Sequence, residues 1–319
     1  MITRRKFVKG VGVGLLASGE VIAQERRGKF SPLSLLFSNV ETAAAAFKPD
    51  PKSWDNSAIT AAWIGHATVL INFFGTMILT DPVFSKRVGP SIIRLGTFGP
   101  KRLVDPALGI DELPPLDLIL LSHAHFDHLD LPSLRRLSKN TPVVMAKNTS
   151  DLIDDMKWKS VQELDWGEKT TVGAIEVEGL RVNHFGWRYP WEKDRSRGNT
   201  AGRSYNGYLL SKNGRHIVFG GDTAYHEHFK AIGDRKINPD LAIMPIGAYD
   251  PWIFVHANPE QSAAMAGQMG AKAVLPVHWN TFTLSNEPVR EPIERFKKAI
   301  GTHSPELALD EIGKTWSVR

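Results

Sequence analysis

The sequence predicts an α/β protein in which two β-sheets pack face to face with helices on the outside. Three observations point there. Apolar strand runs recur in both halves of the chain and each group is followed by helical segments, a pattern that two stacked sheets between helical layers satisfy. The 319 residues are 42 % hydrophobic and 23 % charged, enough for one large buried core and without the bias of a disordered chain. Histidine or aspartate stands at or just past the end of several predicted strands. The sequence shows no internal repeat, no low-complexity tract and no apolar run of the length a bilayer demands.

In chain order, residues 1–23 read as an export signal. Thr3-Arg4-Arg5-Lys6-Phe7-Val8-Lys9 has the twin-arginine pattern, an apolar stretch runs from Val11 to Ala17, and Val21-Ile22-Ala23 offers small-residue cleavage, with Ala17 as a second position. An ordinary secretory signal or an uncleaved basic anchor is the alternative. Residues 24–54 form an N-terminal arm that packs on the core or wraps a partner, and the run Ala43–Ala46 reads as part of a helix. The main domain spans 55–319. A hairpin is predicted from Thr60 to Asp81 around Phe74-Gly75-Thr76. Helices are predicted at Pro132–Leu137, with Asp130 near its start, and at Asp151–Lys157, His226–Ile232, Asn258–Met269 and Arg290–Ile300.

The densest chemistry lies in Leu120-Leu121-Ser122-His123-Ala124-His125-Phe126-Asp127-His128. Residues i and i+2 of an extended strand point the same way, so His123 and His125 can grip one ion together. Asp127 and His128 follow as the chain turns and can face a second. Imidazole with carboxylate suits zinc, and paired ions about 3.5–4 Å apart make a hydrolytic site. Only 11 histidines occur in the chain, so three within six positions after an apolar strand are a poor accident. Two sites need further ligands. His184 follows the strand-like Ala174–Asn183, Asp222 follows Arg215–Gly221, and His278 ends Ala273–Val277. The two glycines before Asp222 let the backbone approach something closely.

The ordered set His-x-His-x-Asp-His, His, Asp, His resembles the metallo-β-lactamase superfamily. Trp63–Leu70, Leu79–Ser85, Gly99–Arg102, Glu112–Pro115, Glu163–Trp166, Gly221–Thr223, Pro245–Tyr249 and His278–Phe282 resemble one branch of it. That branch contains the zinc phospholipase D that hydrolyses N-acylphosphatidylethanolamines. The resemblance covers about residues 55 to 300. It implies a four-layer αββα sandwich of two mixed sheets, with two zinc ions at one edge. It also implies that His123, His125 and His184 hold one zinc, that Asp127, His128 and His278 hold the other, and that Asp222 bridges them. Two cations sharing a water lower its pKa toward neutrality, and Asp127, near both, can orient that nucleophile or take its proton. Asp81 matches the superfamily's early aspartate and reads as a group that orients a ligand histidine or backbone. His256 has two readings: contact with the reacting group or proton donation to the leaving oxygen, and a helix-entry histidine beside a capping Asn258. His66 reads as a hydrogen-bonded structural residue rather than a ligand, because seven ligands already fill both sites.

The implied function is a dinuclear zinc hydrolase, a phosphodiesterase of phospholipase D type acting on N-acylphosphatidylethanolamine-like or other phosphodiesters through a metal-bound hydroxide. A lactonase or cyclic ester or amide hydrolase is the alternative on the same fold, and a non-catalytic metal-dependent ligand-binding protein is the reading from another class. Trp187, Arg188, Tyr189, Trp191, Lys193, Arg195, Arg197 and Arg203 make a basic, aromatic loop after His184. It reads either as a solvated loop or as a substrate rim that holds an anionic or phosphate-bearing group, with Trp187, Arg188 and Trp191 as the rim candidates, arginine for phosphate oxygens and the aromatic faces for an apolar or ring group. A phospholipid substrate would bring peripheral membrane contact. The absence of cysteine removes disulfides, thiol nucleophiles and thiolate ligands. Arg4, Arg5, Lys6 and Lys9 against Glu20 give the signal a charge of +3, which leaves +2 of the chain's +5 for the mature protein. That is no nucleic-acid footprint.

Export through the twin-arginine machinery to the periplasm depends on the arginine pair rather than on charge. Replacing Arg4 and Arg5 together by Lys is expected to leave full-length precursor in the cytoplasm, read by cell fractionation and immunoblot. Normal maturation of the double variant in the periplasm would contradict the assignment.

Overall fold

The computed structural model describes residues 40–92, 96–189, 191–192, 195, 204–301 and 305–319. The export signal and residues 24–39 of the arm lie outside them. Among the described residues, the chain runs through β1 (Ile59–Gly65), β2 (Thr68–Phe73), β3 (Thr76–Thr80), the short ribbon β4 (Ser91–Ile92) and β5 (Gly96–Thr97), and β6 (Leu118–Leu121). Helix α1 (Leu131–Arg136) leads to β7 (Val143–Ala146), and a 3-10 segment over Ser150–Met156 leads to β8 (Val161–Leu164). The second half continues with β9 (Lys169–Val172), β10 (Ile175–Leu180), β11 (Gly207–Lys212), β12 (Arg215–Phe219), α2 (Lys230–Asp234), β13 (Leu241–Pro245), α3 (Pro259–Gln268), β14 (Ala273–Val277), α4 (Glu291–Ile300), β15 (Glu306–Leu307) and β16 (Thr315–Val318).

One sheet has the order β16-β1-β2-β3-β6-β7-β8, the other β15-β14-β13-β12-β11-β10-β9. Both are mixed, and both are built alike. Pairings are antiparallel from β16 through β3 and parallel from β3 to β8. In the second sheet they are antiparallel from β9 to β12 and parallel from β12 to β15. The topology therefore repeats where the sequence shows no repeat, because hydrogen-bonded pairing constrains the pattern of apolar residues and not their identity.

The period-2 geometry of a strand explains why β1 reads as an unbroken apolar run. Ala61 and Trp63 face the core between the sheets, while Ala62 and Ile64 face a second cluster on the outer side. The same split separates Leu118 and Leu120 from Ile119 and Leu121 in β6. The outer cluster is closed by Leu134 and Leu137 around α1 and by Ile153 and Met156 from the 3-10 segment. On the second sheet α3 packs on β13, and α4 packs on α3.

Several expectations are corrected. The Ala43–Ala46 run is not helical: Ala43 makes an isolated bridge with Val104, its N–H donating to the Leu103 carbonyl, so this part of the arm packs on the core as an extended chain. Three strands, not two, fill Thr60–Asp81, because Gly65, His66 and Ala67 make an additional turn. The element at Asp151–Lys157 is 3-10 rather than α, and the helix expected at His226 begins only at Lys230. The helix at Asn258 starts as expected, with Asn258 and Gln261 bonded reciprocally in a capping box.

Tyr208 of β11 crosses between the sheets and its hydroxyl donates to the Leu121 carbonyl at 2.8 Å, where β6 runs into the histidine-rich loop. Tyr208→Phe leaves that carbonyl without this donor and is expected to cost about 1 kcal/mol in urea unfolding. A midpoint and slope identical to wild type would contradict the role given to this bond.

Candidate metal centre

The site forms at one edge, where the strands of both sheets end. Asp81 follows β3, Ser122 and His123 follow β6, His184 follows β10, Asp222 follows β12 and His278 follows β14. β3 and β12 are the strands at which each sheet changes from antiparallel to parallel pairing. The two sheets are stitched together there by the bridge between His123 and Tyr205, with the Asn206 N–H donating to the Ser122 carbonyl at 2.9 Å.

Two groups of donors result. In the first, His123 Nε2 and His125 Nδ1 lie 2.9 Å apart, and His184 Nε2 lies 3.3 Å from His125 Nδ1. Nitrogens sharing a tetrahedral zinc stand about 3.3 Å from each other. In the second, His278 Nε2 and His128 Nε2 lie 3.3 and 3.6 Å from Asp127 Oδ2, with His66 Nε2 at 2.9 Å from the same oxygen. Asp222 stands between them. Its Oδ2 is 3.1 Å from both His128 Nε2 and His278 Nε2, and 3.9 Å from both His123 Nε2 and His184 Nε2. Although His128 Nε2 and His278 Nε2 lie this close to Asp222 Oδ2, none of the three, nor Asp222 Oδ1, is aligned for a hydrogen bond, and all are buried. Buried polar atoms are normally bonded, so orphaned atoms converging beside Asp222 fit a cation there, within overlapping groups of His and Asp close enough to hold metal.

Neighbouring groups fix these side chains. Asp81 Oδ2 lies 2.6 Å from His128 Nδ1, and its other oxygen accepts from the Ser122 N–H at 2.7 Å. The Ser122 hydroxyl donates to Asp81 Oδ2 at 2.6 Å and lies 2.8 Å from His123 Nδ1. His184 Nδ1 lies 2.9 Å from the Val255 carbonyl. Bonds of this kind set which ring nitrogen is left to face a metal. Glycine is required just before Asp222: Gly221 has φ +58°, and a side chain there would come within 2.7 Å of the Asn206 carbonyl.

Burial sets the protonation states. Desolvation pushes His125 down to about 3, His184 to about 4, and His123 well below the usual imidazole range, so all three present lone pairs at neutral pH. His278 behaves oppositely: burial opposes its charge, but Asp222 and then Asp127 outweigh burial and raise it to about 9. Burial likewise opposes charge on His128, and Asp222 and Asp127 hold it well above the usual range. Positive charge is thus favoured where the carboxylates are, and a cation bound there would displace those protons.

Arg188 departs from the reading as a rim residue. Arg188 is buried, and its Nη1 donates to the Ala124 and Leu129 carbonyls at 2.9 and 2.8 Å, with the guanidinium 4.0 Å from the Phe126 ring. It braces the loop that carries His125, Asp127 and His128, because a buried guanidinium needs carbonyl partners and this loop exposes them inward. Arg195 binds Asp151 with both terminal nitrogens, at 2.7 and 2.8 Å. Trp187 is half-buried with its ring 6.1 Å from His125, and Trp191 is 72 % exposed, stacked on Tyr189. Lys193, Arg197 and Arg203 lie outside the described residues. His256 Nδ1 lies 3.7 Å from Asp222 Oδ2, just before the Asn258 cap, so its two readings describe one position. Beside His278 a cleft is lined by Ala248, Asn280, Phe282 and Leu284. The bonds of Ser122 were not foreseen; a hydroxyl directly before the first ligand was the available signal.

The β-lactamase superfamily domain matches residues 76–279. An uncharacterized protein of Mycobacterium tuberculosis is 33 % identical over 253 residues, which are 77 % of this chain and 65 % of that protein, so the chain spans just under two thirds of that relative's length. An N-acyl-phosphatidylethanolamine-hydrolyzing phospholipase D of Caenorhabditis elegans is 31 % identical over 262 residues, 76 % of this chain and 70 % of that one. The structure of Igni18, a metallo hydrolase from Ignicoccus hospitalis, superposes with a TM-score of 0.60 at 17 % identity, over 82 % of this chain and 99 % of the other. The chain belongs to the β-lactamase superfamily. Within it, the chain has the metallo-β-lactamase fold.

Because Asp222 faces both donor groups, Asp222→Ala is expected to lose at least one equivalent of metal and hydrolytic activity together. Elemental analysis of the purified variant, against wild type prepared in parallel, reads the loss. Unchanged metal content would contradict its placement between two cations.

Proposed function

We propose that the protein is a dinuclear zinc hydrolase that cleaves phosphodiesters, with phospholipids of the N-acylphosphatidylethanolamine kind as the substrate class. The observation that carries this reading is Asp222 Oδ2, which lies within 3.1–3.9 Å of ring nitrogens from both donor groups, with His256 on its flank. His123, His125 and His184 would hold one ion, Asp127, His128 and His278 the other, and Asp222 both. Bound there, two zinc-class cations supply Lewis acidity, making water acidic enough to attack at neutral pH and neutralising charge that develops on phosphoryl oxygens.

The chain's own residues do the rest. Asp127 orients the attacking water and takes its proton as the new P–O bond forms. As the ester P–O bond breaks, the leaving alkoxide oxygen takes up that proton from Asp127, and His256, which burial keeps neutral beside Asp222, is left to contact the reacting group. Asp81 and Ser122 keep His128 and His123 oriented through the cycle. The likeness to the nematode phospholipase D supports a lipid diester, and so do the apolar side chains near the site. Trp191 is 72 % exposed, and Ile253 and Phe254, 42 % and 64 % exposed, lie just before the Val255 carbonyl that contacts His184. Such side chains suit peripheral contact with a membrane, where an amphipathic aromatic can reach acyl chains. The periplasm is the proposed site of action, reached through the twin-arginine pathway, and no nucleic-acid partner is proposed.

Metal-replete protein should turn over bis-p-nitrophenyl phosphate and N-acylphosphatidylethanolamine vesicles and leave lactones intact. Trp191→Ala is expected to lose more activity on vesicles than on the chromogenic diester, chiefly in KM. Lactone turnover without diester turnover would overturn the reaction class, and equal effects of the variant on both diesters would overturn the lipid assignment.

A further inference from the structure

His66, in the segment Gly65-His66-Ala67-Thr68, has no part in the chemistry above, yet it is tightly constrained beside the centre. Its backbone is left-handed, φ +55°, which a non-glycine residue adopts at a cost and keeps only when its surroundings impose it. Those surroundings bond both backbone groups and Nε2, and leave Nδ1 buried without a partner. The His66 N–H donates to Thr281 Oγ1 at 2.8 Å, and its carbonyl accepts from Trp63 Nε1 at 2.8 Å and from the His278 N–H at 3.2 Å. The edge of Phe282 meets the ring at 5.2 Å, and Phe282 is itself covered by the buried Arg102 guanidinium at 4.9 Å. Thr281 is tied down in turn, its carbonyl accepting from the Leu103 N–H. All of this aims one atom, Nε2, at Asp127 Oδ2, 2.9 Å away.

We infer that His66 is a positioning residue for Asp127: its ring holds the carboxylate in the orientation that meets His128 and His278, and so builds the second cation site without ligating the ion. This rests on the two-cation reading. Asp127 sits on a turn after β6 and its side chain is partly open to solvent, so nothing in its own strand fixes its rotamer. His66 comes from the turn between β1 and β2, the far side of the first sheet's central strands, and supplies that restraint from outside the histidine-rich loop. A carboxylate ligand anchored in this way binds its ion more tightly, and loss of such an anchor typically costs about 10- to 100-fold in affinity.

The test separates this from a backbone role, because the two predict opposite orders for two substitutions. Asn suits a left-handed backbone but is too short to reach Asp127, whereas Gln reaches the Nε2 position and suits that backbone less well. Wild type, His66→Asn, His66→Gln, Asp127→Asn and the His66→Asn/Asp127→Asn double variant are stripped with a chelator. Each is then titrated with Co2+, following heat and the visible absorption of the bound ion. The first ion is expected to bind all five proteins alike. The second should bind His66→Asn about 10- to 100-fold more weakly than wild type, with His66→Gln recovering most of that loss. In the Asp127→Asn background, His66→Asn should add nothing. The inference is overturned if His66→Asn takes up the second ion as wild type does, if Asn outperforms Gln, if the losses add in the double variant, or if both His66 variants fail to fold. A wild type that takes up only one ion removes the two-cation reading, and this inference with it.

Discussion

Asp222 is the constraint on which the rest of the molecule depends. Its carboxylate is buried where the two sheets meet, and five imidazole nitrogens, from His123, His128, His184, His256 and His278, lie within 3.1–3.9 Å of one of its oxygens. A buried carboxylate with unbonded oxygens costs several kcal/mol unless positive charge neutralises it. The neutral rings of His123 and His184, fixed with nitrogens directed at the same space, add lone-pair repulsion to that cost. Cations relieve both, and the fold must then hold the donors rigidly enough that relief comes from binding rather than from collapse. Ser122, Asp81 and the Val255 carbonyl take the second nitrogens of His123, His128 and His184, which leaves each ring one direction in which to coordinate.

The duplicated topology explains how donors distant in sequence arrive together. Each sheet changes from antiparallel to parallel pairing at one strand, β3 or β12, and an aspartate follows each: Asp81 and Asp222. One braces a ligand and the other faces both donor groups. Stacking the sheets brings those two ends to a common edge, while Tyr208 and the Asn206–Ser122 bond fix the separation between them. Arg188 serves the same end from the loop that follows His184. By bonding two carbonyls of the histidine-rich loop, it ties one donor group to the element that carries His184.

The parts of the fold that were legible from sequence are those with strong periodicity. The apolar strands before His123, Asp222 and His278, and the Asn258-capped helix, could be placed because burial and capping leave direct marks on residue type. The seven metal-ligand candidates were legible through residue type and strand-end position, and the structure gathers all seven into overlapping groups of side chains close enough to hold metal. What was not legible depends on long-range partners. The arginines after His184 suggest an anion-binding rim by composition, but Arg188 finds carbonyls 64 and 59 residues away and turns inward. Ala43–Ala46 favours helix locally and is extended because Val104 offers it a bridge. The contact of His66 with Asp127 crosses 61 residues and depends on a left-handed turn that no local pattern announces.

Diffraction from crystals of the purified holoprotein, recorded on both sides of the zinc absorption edge, would test the central claim most directly. Two anomalous peaks about 3.5–4 Å apart are expected, one among His123, His125 and His184, the other among Asp127, His128 and His278, with the Asp222 carboxylate touching both. A single peak, or two peaks neither of which meets Asp222, would contradict it.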